Sequence, residues 1–375
     1  MDNKKNRPGT PNMLRLVNRN AILTFLEQAG ITSRAELSAV SGISPPTVSS
    51  IVKELMEEGW IHNAGGGVSH GGKPPQLIKL NPDARFIGAV QMNADKFRIR
   101  LSNLAGQVYA EEQFKPSGRS VEEQCRESVS RLTGLMQAQQ LQPELWLGVC
   151  VVVPGVVNDE GIVSNAPELH WHQEPILHYY TACLSCPVVV ENDVNLAAIG
   201  DSWKRKAWAG MSVYIHLDRG IGAGILLDGK LYKGAHFAAG EIGSLIVDPA
   251  TVGQIQADPY QSTGRFGYFE AQFGYKTFQS QERNIRLEDR IIQHIAYAMV
   301  NIIVLLDPDT LVFGGRMAYG IDNFLGRLSN ALAVLVSVTP KMHMTSLGDD
   351  ASLFGAGRAV IENYRSQGGK YAYIL

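Results

Sequence analysis

The sequence predicts an N-terminal winged helix-turn-helix followed by an α/β body of two similar lobes. Three observations lead there. The first eighty residues hold three short helical periodicities and then a glycine-rich hairpin. A strand, turn, strand, turn, strand plan occurs twice in the remainder, and strands alternate with helices around it. At 375 residues the chain exceeds one ordinary hydrophobic core, so more than one domain is expected.

In "NRNAILTFLEQAG", Ile22, Phe25 and Leu26 stand at i, i+3 and i+4, which places them on one face of a helix that stops at Gly30. The next segment, "SRAELSAVSG", opens with Ser33 and Glu36 at capping-box spacing and closes at Gly42. In "SPPTVSSIVKELMEEGW", Ser44 is expected to cap a third helix, Pro45 suits its first position, and Val48, Ile51, Val52 and Leu55 form one buried stripe. A tight turn between the second and third helices makes a helix-turn-helix, whose last helix lies in the DNA major groove.

The opposite face of that third helix presents Ser44, Pro46, Thr47, Ser49, Ser50 and Lys53, all small, polar or basic, while Glu54, Glu57 and Glu58 stay at the far end. Such a leading end approaches base edges and phosphates without repulsion. Arg34 is counted with this DNA-facing set. "HNAGGGVSHGGKPPQLIKLN" then reads as two strands with a glycine-rich tip, the wing, where Lys73 is placed to touch a phosphate or enter a minor groove. Residues 1–80 carry nine Lys or Arg against six Asp or Glu, whereas the rest carry 25 against 30. The basic end is therefore the one suited to a polyanion. Asn81 and Pro82 mark the domain boundary.

From Phe86 the pattern turns to short strands: "FIGAVQMN", "FRIRLSN" and "QVYAEEQF", a plan repeated at "SVYIHLDRGIGAGILLDGKLYKG". Residues 121–139 are helical in pattern, "LWLGVCVVVPG" is a buried strand, and "DVNLAAIGDSWKRKAW" is a helix. "RLEDRIIQHIAYAMVNIIVLLDP" is a long helix leading into the strand "TLVFGG". Two α/β lobes facing each other leave a cleft. No run of eighteen apolar residues occurs and the first twenty lack a signal-peptide core, so a cytoplasmic chain without membrane insertion is expected. The four cysteines, Cys125, Cys150, Cys183 and Cys186, are too few for a disulfide framework.

"VPGVVNDEGIV", "PVVVENDVNLAAIGD", "GIGAGILLDGKLYKGAHFAAGEIGS" and "DPDTLVFGG" together resemble the ROK family of bacterial sugar kinases and sugar-responsive repressors. The winged helix before them is similar to that of the repressor branch. The resemblance implies a two-lobed actin-like body of the ribonuclease H-like, sugar kinase type, with a sugar or sugar derivative in the cleft. It implies a double-stranded DNA operator, a homodimer or tetramer, and a repressor of carbohydrate uptake or catabolism genes. Some repressors of this kind answer to a transporter protein instead. The domains it implies are a winged helix at 1–81 and a first lobe at 82–194, completed by a C-terminal helix at about 355–375. A second lobe at 195–354 holds the effector site and an oligomerisation surface.

Carried over by position, the family's sugar site falls on Gly155, Asn192, Asp193, Glu241, Ser244 and Glu270, with Asp193 standing where the kinases have their general base. Carboxylates and amides suit adjacent sugar hydroxyls, and a site built from them rejects ligands that lack those groups.

The departures from the family are as informative. Its first phosphate motif is replaced by "QMNADKF", Gln91 to Phe97, and the Gly-Thr-Gly of the second by Asp218, Arg219 and Gly220. A carboxylate there repels phosphate oxygens by on the order of several kcal/mol in a partly buried cleft, and Arg219 is expected to offset some of this by pairing with Asp218. Phosphoryl transfer rests on positioning and charge stabilisation, so no nucleotide and no enzyme activity are expected. The alternative is a kinase using ATP with Asp193 as base. The family's zinc ligands, one histidine and three cysteines, are replaced by Ser244, Gln261, Thr263 and Tyr268, so no metal is expected. Packing by Phe266, Tyr268 and Phe269 is expected to order that loop.

Overall fold

The computed structural model describes residues 11–66, 74–249, 268–274 and 285–366. Helix α1 (Pro11–Ala29) leads through strand β1 (Ile31–Ser33) into α2 (Arg34–Ser41), α3 (Pro45–Glu57) and the wing strands β2 (Ile61–Gly66) and β3 (Gln76–Leu80). The wing sheet runs β1-β3-β2, all antiparallel. Ser33 and Glu36 form the capping box as read, and Gly42 ends α2 in the left-handed region at φ 68°. Ser44 occupies the N-cap position of α3 without making a side-chain cap, because its hydroxyl meets that of Thr47 instead, at 2.9 Å. Val48, Ile51, Val52 and Leu55 are fully buried against α1 and α2.

The first lobe is built on β4 (Phe86–Met92), β5 (Phe97–Asn103), β6 (Val108–Phe114) and, after α4 (Val121–Ala138), β7 (Trp146–Val153). A small sheet of β8 (Val156–Val157), β9 (Val163–Ala166) and β10 (Trp171–Glu174) precedes α5 (Ile176–Thr181) and β11 (Val188–Asn192). The main sheet runs β11-β7-β4-β5-β6, with β7 parallel to both neighbours. Helix α6 (Asp193–Arg205) then leads to the second lobe, formed by β12 (Met211–Leu217), β13 (Ile221–Leu227) and β14 (Lys230–Leu231). Next come α7 (Tyr268–Phe273), α8 (Ile285–Leu306), β15 (Thr310–Gly314), α9 (Arg316–Gly320), α10 (Phe324–Ala333), β16 (Lys341–Met344) and α11 (Ala351–Ser366). Its sheet runs β14-β13-β12-β15-β16. The repeat read from the sequence is present, with the third strand of the second copy cut to two residues.

Helix α8 is long and apolar enough to cross a membrane by length and composition. Here Ile291, Ile295, Met299 and Ile302 pack into the core of the second lobe with Phe313 and Leu328. Helices α6 and α11 cross at two glycines: a Cβ on Gly355 would lie 1.8 Å from the Leu196 carbonyl oxygen, and one on Gly200 2.3 Å from that of Ala351. Backbone meets backbone there, so the two helices behave as one strut between the lobes.

That strut also holds the winged helix. The turn at Asn81 and Pro82 is present, but it does not break the packing: Trp60, Ile61 and Ile78 share one core with Ile87, Ala356, Val360 and Tyr364. Trp60 stacks on Tyr364 with ring centroids 5.2 Å apart. Glu27 of α1 receives Arg358 Nη1 at 2.6 Å, Arg365 Nη2 at 3.0 Å and Trp203 Nε1 at 3.1 Å. Burial works against its charge, and the two arginines outweigh burial and hold the carboxyl below its usual range.

Candidate functional sites: the reading helix and the inter-lobe cleft

On α3, Ser44, Pro46, Ser49, Ser50 and Lys53 are exposed and Thr47 is half-buried, so this face is open along its length. The acidic far end is neutralised within the domain. Arg15 of α1 pairs with Glu54 and donates to Ser50 Oγ at 3.2 Å, Arg19 grips Glu58 at 2.5 and 3.0 Å, and Lys53 lies 3.8 Å from Glu57. Arg15 was not singled out from the sequence, although it borders the reading face. Arg34 does not join that face: it is half-buried and donates to the Met56 sulfur at 3.8 Å, beside the far end of α3. Lys73 lies outside the described residues.

In the cleft, Gly155, Asn192 and Glu241 line one partly open cavity together with Val156, Asn195 and Phe237. Asn192 caps α6, accepting from the N–H groups of Val194 and Asn195 at 2.9 Å each, and its Nδ2 donates to the Gly155 carbonyl at 2.9 Å. The amide thus fixes the helix start and the facing loop at once, leaving one N–H for a ligand. Asp193 follows in the first turn of α6 and accepts from Val194 N at 2.8 Å. Desolvation, reinforced by the charge of Glu168 and then of Glu241, pushes its carboxyl up to about 7. Glu241 turns part of its side chain to solvent, but the walls around it desolvate the carboxyl and raise its pKa as well. Among the described residues neither acid has a cationic partner.

Buried Glu191 sits behind this pair and takes Asn195 Nδ2 at 3.0 Å and Lys233 Nζ at 2.6 Å. Lys233 belongs to the loop after β14, so the contact joins the lobes. The close packing of that loop fixes Gly240 at φ 92°, where a Cβ would lie 1.8 Å from the Ala223 carbonyl oxygen. Ser244 is exposed at the end of a short turn and does not line the cavity. Glu270, on α7, is directed at the backbone, accepting from Ile221 N at 3.2 Å. The positions that match the family's zinc ligands do not fit a metal: Ser244 offers a hydroxyl and Tyr268 a phenol where thiolate and imidazole are needed. Gln261, Thr263 and Phe266 lie outside the described residues. Phe269 is fully buried, and next to it Phe273 stacks on His294 with centroids 4.0 Å apart.

The other half of the cleft is wired differently. Arg219 does not place its guanidinium on Asp218. Only its backbone N–H does so, at 2.7 Å, while its side chain pairs with Asp95 of the facing loop, also at 2.7 Å. Asp218 is held by Arg316, whose Nε lies 2.9 Å from both carboxylate oxygens. Burial alone would raise the Asp218 pKa, and the Arg316 hydrogen bonds overcome it and hold the carboxyl below its usual range. Gln91 donates to Ser352 Oγ at 3.1 Å.

Comparison with known proteins fits this geometry. The ROK family matches residues 87–255, and a winged helix-turn-helix DNA-binding family matches residues 17–62. The xylose repressor of Caldicellulosiruptor bescii is 25% identical over 401 residues, covering 96% of this chain and 98% of its own. The fold matches a ROK family transcriptional regulator, a homolog of the Escherichia coli MLC protein, with a TM-score of 0.77 and 20% identity over 95% of this chain and 97% of that one. A ROK hexokinase from Thermus thermophilus matches with a TM-score of 0.63 and 17% identity over 75% of this chain and 99% of its own.

Proposed function

From a chain that carries a ROK family domain behind a winged helix-turn-helix, we propose a transcriptional repressor whose affinity for DNA changes when a sugar or sugar derivative binds beside Asn192, Asp193 and Glu241. One observation carries this most directly. On the sugar half Asn192 keeps one N–H for a ligand and Glu241 stands on the cavity wall with no cationic partner among the described residues, whereas Asp218 and Asp95 of the other half are each paired with an arginine. The structure also supplies a route between sites. Asn192 and Asp193 open α6, α6 is locked to α11, and both helices grip Glu27 of the winged helix. A ligand that prefers one lobe arrangement therefore biases the pose of the reading helix.

Two copies bind an operator of twofold symmetry through α3, and the name of the C. bescii relative makes D-xylose the first effector to try. Phosphoryl transfer is not part of this function, because Asp218 stands at the phosphate position and its charge is fixed by Arg316. The test uses a DNA fragment selected in vitro for binding. Asp193→Ala and Glu241→Ala are expected to keep DNA affinity within about twofold of the parent, since neither touches the winged helix. The sugar-induced change should vanish in both. Loss of DNA binding by both variants, or ADP release from ATP with any sugar that binds, would sink the proposal.

A further inference from the structure

We propose that Phe237 sets the size of the sugar this cleft accepts, limiting it to a pyranose ring without a large exocyclic substituent. That means a pentose in preference to a hexose, an N-acetylated hexosamine or a sugar phosphate. The inference rests on the effector reading of the cleft given above and names the class of ligand.

Phe237 lines the same cavity as Asn192 and Glu241, although it belongs to no motif read from the sequence. Its backbone lies at φ 59°, in the left-handed region where a bulky side chain is a real outlier and glycine would sit freely. Strain of this kind persists only where the surroundings enforce it, and it gathers at ligand clamps. The enforcement is visible on both sides of the residue. Lys233 ties the start of the loop to Glu191 at 2.6 Å, and the Gly240 carbonyl accepts from Ala223 N at 2.7 Å. The second of these ties lies within the second lobe, so the end of the loop is held whether or not the lobes part.

The space left beside it is about 20 Å³, little more than one water needs. Any sugar has to spread the walls, and each further exocyclic atom must spread them more. An added phosphate would also meet Glu241 on the cavity wall, so its charge is opposed as well as its bulk.

The test compares the full chain with Phe237→Gly and Phe237→Asn, the second because asparagine tolerates a positive φ while keeping a Cβ. Calorimetric titration and thermal shift are run with D-xylose, D-glucose, N-acetyl-D-glucosamine and D-glucose 6-phosphate. The parent is expected to bind D-xylose at least tenfold more tightly than the others, the range a single added group commands in a tight pocket. Phe237→Gly should bring D-xylose and D-glucose within about threefold of each other, and it should melt no lower than the parent because the strained φ is relieved. Parent protein that binds a larger sugar as well as D-xylose overturns the inference and leaves the effector reading standing. So does a variant pair that keeps the parental preference. Silence of parent and variants towards every sugar overturns both.

Discussion

The two halves of the inter-lobe cleft differ in how far their acidic groups are paired. In the nucleotide half Asp218 is clamped by Arg316, and Asp95 is paired with Arg219 across the gap. In the sugar half Glu191 is paired with Lys233, whereas Glu241 on the cavity wall and Asp193 in the first turn of α6 have no cationic partner among the described residues, and desolvation raises the pKa of both. A group kept for a ligand bears its desolvation cost unrelieved, because a permanent counter-ion would occupy the ligand's place. A group no longer used for a ligand is free to be neutralised. Under the proposed function, charge pairing marks which half of the cleft takes a ligand.

The comparison breaks most severely where the sugar half depends on its backbone. Gly240→Ala puts a Cβ into the Ala223 carbonyl at a left-handed φ, and a loss of about 2–4 kcal/mol is expected in chemical denaturation. A loss below about 1 kcal/mol would show that the loop is not anchored as described. Next comes Arg316→Ala, which leaves the largely buried Asp218 without its main counter-ion. About 1–2 kcal/mol should go, discounted for the partly exposed arginine, and Asp218→Asn in the same chain should restore most of it. Failure of that rescue would mean that Arg316 acts through packing rather than through charge.

The effect of Asp193→Asn is smaller once discounted for a half-buried side chain, and its size depends on pH. The native carboxyl holds its proton up to about 7 whereas the unfolded one releases it near 4. Stability from this group is therefore present at low pH and lost as pH rises through that window. The variant should melt about 2–4 °C above the parent at pH 8, with the gap closing towards pH 4. A gap that ignores pH would assign the effect to something other than this carboxyl. Least of all, Arg219→Gln removes an exposed ion pair, and a change under about 1 kcal/mol is expected in the same denaturation assay, fading with added salt.

Much of the scaffold could be read from residue order. Caps such as Ser33 with Glu36 and stops such as Gly42 act within a few residues, so their spacing reports their structure directly. Asn192 was named only through the family resemblance, and its role as the cap between a buried strand and α6 emerges from the structure. What escaped depends on distant approach. Lys233 finds Glu191 only once the lobes have met, and nothing local says that Phe237 adopts a glycine-like φ. Arg219 was paired with the wrong acid because a long cationic side chain reaches several acceptors, and the fold chose Asp95. Ser244 and Glu270 keep their place along the chain, yet their side chains lie away from the cavity wall, one facing solvent and one held by a backbone N–H.

The grip on Glu27, with the Trp60–Tyr364 stack beside it, has a consequence for the DNA. In the dimer proposed above, a reading head welded to its body works as one jaw of a caliper whose opening is fixed by how the two bodies meet. It has no tether to stretch. Operators lengthened by one base pair between half-sites turn one half-site by about a tenth of a helical turn, and they should lose affinity steeply in a gel-shift series. An insertion of a whole turn restores the rotation without restoring the distance, so it should stay unbound.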